Sequence, residues 1–301
     1  MNGVLIIDKP AGLTSHDVVN RVRRILGERS VGHLGTLDPM ATGVLPLVVG
    51  NLTRLAQFYT HAEKIYEGTI RFGFSTDTYD AEGEPTSPPQ EISLTMDQVC
   101  ALAARFRGTI EQTPPPFSAK KIHGVPAYKL ARKQKEVVLK PVQVEVKEFE
   151  ILAVDADGAS FRARVASGTY MRSIAHEMGQ ILGCGAHLAT LRRTAAAEFT
   201  LERAITLEQL AAVMGRNSVQ SGGTPETVED AFVHPRKLLP GMPSVTADEL
   251  TVARIRAGRT VNLPELSRAR QVKVFEGQRE LIAIATRVAG TLFHPKIVLC
   301  G

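Results

Sequence analysis

A chain of 301 residues that is 44% hydrophobic can bury a substantial core, and at about 150 residues per domain it suggests two units. Its 36 Lys and Arg exceed its 31 Asp and Glu by five, giving a pI near 9.2 and making a polyanion a plausible partner. No apolar run approaches the roughly 18 residues that cross a bilayer, and three distant cysteines (Cys100, Cys184, Cys300) argue against a disulfide framework and for a reducing cytoplasm.

Residues 3 to 8 form a short apolar strand that turns at Lys9-Pro10, too short for a signal peptide. Ser15 then stands as the cap of a helix over 15–27, whose Val18, Val19, Val22, Ile25 and Leu26 share one face. Between Gly32 and Pro46 a single carboxylate, Asp38, lies among Gly32, Gly35 and Gly43, directly before a strand over 44–49. Glycines supply backbone conformations that a Cβ resists, and Pro39 biases Asp38 away from the helical region. Asp-Pro alone is a turn initiator; in this setting it displays a carboxylate on a rigid loop. A strand over 64–74 carries Tyr66 within Lys64-Ile65-Tyr66-Glu67-Gly68. Residues 77–90, rich in acids, proline, glycine and serine, read as a surface loop before a helix over 95–107.

Thr113-Pro114-Pro115-Pro116-Phe117 and Lys140-Pro141 bracket an excursion that holds Lys120, Lys121, Lys129, Arg132, Lys133, Lys135 and Lys140 against the single acid Glu136. Lysines and arginines that meet phosphates release counterions, and Phe117, His123 and Tyr128 interleave rings able to stack on bases. Strands over 142–154 and 159–167 are joined by the turn Asp155-Ala156-Asp157-Gly158. Ser167-Gly168-Thr169-Tyr170-Met171-Arg172 then opens a helix over 172–182, where the positive end of the helix dipole disfavours a cation and points to a partner carboxylate for Arg172. Gly183-Cys184-Gly185-Ala186-His187-Leu188 and Leu191-Arg192-Arg193-Thr194 follow, then a helix over 206–214 and a linker over 216–229. A short helix ending at Gly258 and strands near 270–276, 280–286 and 296–299 make a compact β-rich tail. Adjacent strands interrupted by helices indicate an α+β fold with a mostly antiparallel sheet.

The string Gly-His-x-Gly-Thr-Leu-Asp-Pro-x-Ala-Thr-Gly-Val-Leu-Pro at 32–46 resembles the catalytic-aspartate segment of the TruB family of tRNA pseudouridine synthases. The opening Gly3–Ser15 stretch, the Tyr66 segment and both motifs around Arg172 and Leu191 resemble further family segments, in family order, over roughly residues 3–215. The resemblance implies a pseudouridine synthase fold over 1–238, with a basic RNA-clamping insertion at about 113–141, and a small RNA-binding tail over 239–301 resembling a PUA domain. It further implies isomerisation of the T-loop uridine conventionally numbered 55, with Asp38 as the catalytic carboxylate and Arg172 as its basic partner. Tyr66 would lie against the base and serve in catalysis, Tyr170 and Leu191 would line the uridine pocket, and His33 would contact RNA near the flipped nucleotide. Lys120, Lys121, Lys129, Arg132 and Lys133 would contact RNA from the insertion. The implied partner is the T-stem-loop of tRNA, met in the cytoplasm by a monomer with no obligatory protein partner.

Competing chemistries lack their residues. His176-Glu177-Met178-Gly179-Gln180 has glutamine where a zinc helix needs its second histidine, no paired-cysteine metal spacing occurs, and neither a phosphate-binding loop nor a nucleophile elbow is present. The inventory indicates a reaction without metal or cofactor. Two other readings stand beside isomerisation: a non-catalytic tRNA-folding factor, and a guide-RNA-dependent relative of the same family. The direct opening at Gly3 and the long basic insertion favour the stand-alone bacterial type.

Overall fold

The structure is a computed structural model that describes residues 1–118, 120–122, 125–127, 139–215, 227–265 and 267–299. Strand β1 (Gly3–Lys9) leads into α1 (Ser15–Leu26), β2 (Val31–His33), β3 (Thr42–Val49), a 3-10 segment over Gly50–Tyr59 and β4 (Lys64–Phe72). After α2 (Met96–Ala104) and β5 (Gly108–Gln112), β6 (Lys121–Ile122) and β7 (Val125–Pro126) pair inside the basic segment. Next come β8 (Val142–Val154), β9 (Gly158–Val165), α3 (Met171–Leu182), β10 (Ala186–Ala196), β11 (Phe199–Thr200) and α4 (Leu207–Gly215). The chain ends with α5 (Val228–Ala231), β12 (Ser244–Ala247), α6 (Glu249–Arg256), β13 (Val261–Asn262), β14 (Gln271–Glu276), β15 (Glu280–Ala289) and β16 (Leu292–Val298).

Among the described residues the larger sheet has nine strands in the order β1-β3-β10-β4-β9-β8-β5, with β2 on β3 and β11 on β10. Every pairing in it is antiparallel except β3 with β10, in line with the expected α+β fold and mostly antiparallel sheet. A second sheet, β12-β14-β15-β16-β13, forms the β-rich tail.

Strand β1 shows why the sequence begins with an unbroken apolar run. Successive side chains of a strand point to opposite faces. Leu5 and Ile7 join α1, α3 and α4 residues such as Val18, Val22, Ile174 and Leu210 in one core, whereas Val4 and Ile6 face a second core. That second core is closed by Phe275, Leu281, Ile284, Ile297 and Leu299 of the tail. Both faces are therefore dry, and alternation disappears from the sequence.

Several expectations need correction. Thr14, not Ser15, caps α1, in a reciprocal capping box with Asp17, and this frees the Ser15 hydroxyl for another use. The 11-residue strand β10 at the centre of the sheet was not expected: Ala-His-Leu-Ala-Thr-Leu-Arg-Arg-Thr-Ala-Ala lacks the valines and isoleucines that mark strands. The segment over 77–90 is not merely a surface loop, because Asp80 is buried and bridges to Leu188 on β10. Strand β4 stops at Phe72, before Gly73 with φ +105°, and α6 stops at Arg256, two residues short of Gly258. Of the linker over 216–229, residues 216–226 lie outside the described residues.

Candidate active site

Asp38 sits on the loop between β2 and β3, and four elements hold that loop. The Ser15 hydroxyl on α1 donates to Leu37 O at 3.1 Å and accepts from Leu37 N at 2.8 Å. Lys9 at the end of β1 directs its ammonium to Pro10 O (2.8 Å) and Pro39 O (3.0 Å). Arg193 on β10, fully buried, runs beneath the loop and donates to Val44 O (2.8 Å), Thr36 O (3.2 Å) and Gly35 O (3.0 Å). Gly43, at φ +100°, allows β3 to lie against β10, since a Cβ there would come within 2.2 Å of Arg193 O. A loop tied this closely loses little further freedom when a ligand arrives.

Arg172 stands in the first turn of α3 and meets Asp38 edge-on, Nε to Oδ2 at 2.9 Å and Nη2 to Oδ1 at 2.9 Å. Its Nη1 lies 3.4 Å from Asp80 Oδ2 and donates to Thr78 O at 3.2 Å, while Nη2 also donates to Phe117 O at 3.0 Å. The side chains of Arg172 and Asp80 are each 4% exposed, against 31% for Asp38. The pair thus offers one open carboxylate, backed by a guanidinium that a second carboxylate holds from behind. Two carboxylates at the start of α3 answer the unfavourable placement of a cation there.

Burial sets the titration of the pair. Desolvation pushes the Asp38 carboxyl above its ordinary range; Arg172 opposes the rise and Asp80 adds to it. Glu82 is also pushed up by burial, then by Asp80 and Asp38. Lys9 and Lys64 are both pushed down to about 8, chiefly by burial. Desolvation is the larger influence on Asp38, and the attraction of Arg172 offsets it in part.

Asp38 opens on a cavity of about 230 Å³ whose walls include Tyr66, Tyr170, Arg172, Leu191 and Lys64. Five residues expected at the site thus meet in one place, from a loop, β4, the approach to α3, α3 itself and β10. Tyr66 and Leu191 are each 8% exposed, so both are core residues with an edge on the cavity. Burial pushes the Tyr170 hydroxyl up, and Tyr170 is held on both sides of its backbone by Gln112, which accepts from its N–H (2.8 Å) and donates to its carbonyl (3.1 Å).

His33 does not line this cavity; it is half-buried on β2, its Nδ1 accepts from Gly35 N at 3.4 Å, and burial and then Arg193 push its pKa down. Lys120 is half-buried and Lys121 lies within β6, whereas Lys129, Arg132 and Lys133 lie outside the described residues. Asp80, Gln112, Lys64 and Arg193 were missed as site residues. Lys64 and Arg193 stood inside motifs that were read for their neighbours; Asp80 and Gln112 carry no local signal.

This arrangement suits an enzyme that works through a single held carboxylate on a small polar ligand. Known proteins identify its family. The model for the N-terminal domain of the TruB family of pseudouridylate synthases matches residues 23–171, and that for the tRNA pseudouridylate synthase B C-terminal domain matches 172–235. The chain is 52% identical to tRNA pseudouridine synthase B of Solibacter usitatus over 99% of its own length and 100% of the relative's, and 38% identical to that of Aquifex aeolicus over the same shares. In a crystal structure of a Cbf5–Nop10–Gar1 complex, one chain superposes with a TM-score of 0.72 at 26% identity, covering 99% of this chain and 85% of that one. The chain belongs to the TruB family of pseudouridylate synthases and has their fold. The two family models meet between Met171 and Arg172, so the Asp38–Arg172 pair joins the regions they match.

Proposed function

We propose that this chain converts a uridine of tRNA to pseudouridine in the T-loop, at the position conventionally numbered 55, with Asp38 as the reacting carboxylate. The observation that carries the reading is the Asp38–Arg172 pair opening on a cavity of about 230 Å³. That space admits one nucleoside and excludes a duplex, so the target leaves its stack to enter, at a cost of a few kcal/mol. The reaction breaks the bond from C1′ to N1 and forms one from C1′ to C5; C5 loses a proton and N1 gains one, with no net oxidation. Asp38 can begin it by attacking C1′, by attacking the uracil ring or by taking a ribose proton, and each route starts from the ionised carboxylate. Arg172 favours that form, while Tyr66 and Leu191 give the base an apolar seat, with the Tyr66 hydroxyl as the group that removes the C5 proton.

Relatives that carry the name tRNA pseudouridine synthase B and match over 99% of this chain support a tRNA enzyme. In this reading it works alone, with residues 1–238 as the catalytic part and 239–301 as an RNA-binding tail resembling a PUA domain. His33 and the basic insertion, including Lys120 and Lys121, contact the opened RNA outside the cavity. The test incubates wild-type and Asp38→Asn protein with unmodified tRNA transcript and maps pseudouridine by carbodiimide labelling and reverse transcription. A stop at the T-loop uridine with the wild type alone is the expected result; full activity of Asp38→Asn would overturn the role of the carboxylate.

A further inference from the structure

The cavity holds a cation that the aspartate chemistry does not use. Lys64, at the first position of β4, is 9% exposed, and its ammonium donates to Ala62 O at 2.7 Å. Among the described residues no carboxylate lies within ion-pair distance of it, and burial followed by Arg193 pushes its pKa down. One hydrogen bond leaves two ammonium donors, and a cation this dry without a counter-charge is unfavourable until an anion arrives.

A second wall of the same cavity points the same way. The Thr169 hydroxyl is buried without a partner among the described residues, and Ser167, Gly168 and Thr169 line the cavity beside Lys64. Helix α3 begins immediately after them: the side chain of its cap, Tyr170, makes no hydrogen bond to the helix amides, and no acidic residue lies in the first turn. The amide groups and dipole of such an end favour an anion. Pairing of Lys64 with Val165 sets the lysine beside the start of this turn. Ser167 Oγ, donating to Thr60 O at 2.6 Å, ties the turn to the segment that also holds the ammonium.

We propose that Lys64, the Thr169 hydroxyl and the amino end of α3 form a phosphate subsite, which grips a phosphodiester group flanking the target uridine. The proposal rests on the reading of the cavity as the uridine site and adds what fixes the nucleotide's backbone there. Gripping the phosphate sets the depth to which the nucleoside enters, so Lys64 acts in binding and register, ahead of the chemistry at Asp38.

The test uses T-stem-loop RNAs with a natural phosphate or a neutral methylphosphonate at either linkage flanking the target, against wild type, K64M, K64R and T169V. Loss of one charged hydrogen bond makes K64M bind the natural RNA about tenfold to a hundredfold more weakly. The slope of log affinity against log salt becomes shallower by about 0.7, the value of one single-strand phosphate contact. One of the two methylphosphonates weakens the wild type and K64R but leaves K64M unaffected. An unchanged salt slope in K64M, or equal sensitivity of wild type and K64M to both methylphosphonates, overturns the subsite. Should K64M melt early, T169V and the methylphosphonate series on wild type and K64R decide the matter. Equal affinity for the RNA and equal conversion of it by wild type and K64M refute the subsite alone, whereas absence of conversion by a wild type that binds the RNA refutes the proposed activity.

Discussion

Replacing Arg172 by methionine removes the guanidinium that meets Asp38 twice at 2.9 Å and leaves Asp80 as a like charge behind it. A unit pair at that distance is worth ~6 kcal/mol at an effective dielectric of 20. Asp38 is 31% exposed, and water in the cavity screens the interaction, so about half of that value, ~3 kcal/mol, is the working figure. At 1.36 kcal/mol per pH unit, the Asp38 carboxyl rises by about two further units beyond where burial already holds it. Turnover needs the carboxylate, so the acid limb of the rate moves up by about two pH units, and at any pH on the acid side of both limbs the rate falls roughly a hundredfold. Activity returns as pH rises. Single-turnover pseudouridine formation between about pH 5 and 9, for wild type, Arg172→Met and Arg172→Lys, measures the limb directly. A limb that stays in place, or a rate lowered by the same factor at every pH, would refute the reasoning. Stability follows the same sign: a carboxyl whose pKa is higher folded than unfolded contributes stability below its unfolded value near 3.9 and loses it as pH rises through the folded value. Arg172→Met therefore loses more stability relative to wild type at neutral pH than in acid.

Asp80→Asn should move the acid limb the other way, because Asp80 raises the Asp38 carboxyl and its removal lets that carboxyl fall; an upward shift in the same rate profile would show that Asp80 acts chiefly by orienting Arg172. Phe275→Ala in the tail empties a fully buried ring position in the core shared with Val4, Ile6 and Val44, at a cost of about 3–5 kcal/mol. Calorimetry should then show one transition, lowered by several degrees, whereas a separate early transition would mark a tail that folds on its own.

The legible parts of this molecule were those in which one short stretch of chain carries both the chemistry and its support. Asp38 stood out because the glycines and proline around it are needed where it is displayed, and Gly43 has the positive φ that such a residue type suggests. The helix-start position of Arg172 implied a carboxylate partner, and the structure supplies Asp38. Asp80 was illegible because its burial is decided by contacts far along the chain: Arg172 lies 92 positions away, and local hydrogen bonds from Thr78 Oγ1 (2.6 Å) and Glu82 N (3.1 Å) make a loop acid fit for the interior. Strand β10 was illegible for a related reason. Its arginines are polar in sequence, yet Arg193 is fully buried against carbonyls and Arg192 pairs with Asp8 at 2.8 Å. Tertiary partners at such positions override local pattern.

The charges around the Asp38 loop explain why the pair has the geometry it does. Four cations, Lys9, Lys64, Arg172 and Arg193, are buried around the loop, and of these four, among the described residues, only Arg172 lies within ion-pair distance of a carboxylate. Lys9 and Arg193 direct their donors to five backbone carbonyls and so stiffen the loop without neutralising the acid. Burial then wins over the attraction of Arg172 and Lys9, and the Asp38 carboxyl rises. A nucleoside that fills the cavity and displaces water strengthens both effects at once, the desolvation of Asp38 and its attraction to Arg172. A guanidinium already hydrogen-bonded to one carboxylate oxygen and 2.9 Å from the other meets that desolvation without rearranging. The second carboxylate behind Arg172 secures that alignment before the ligand arrives.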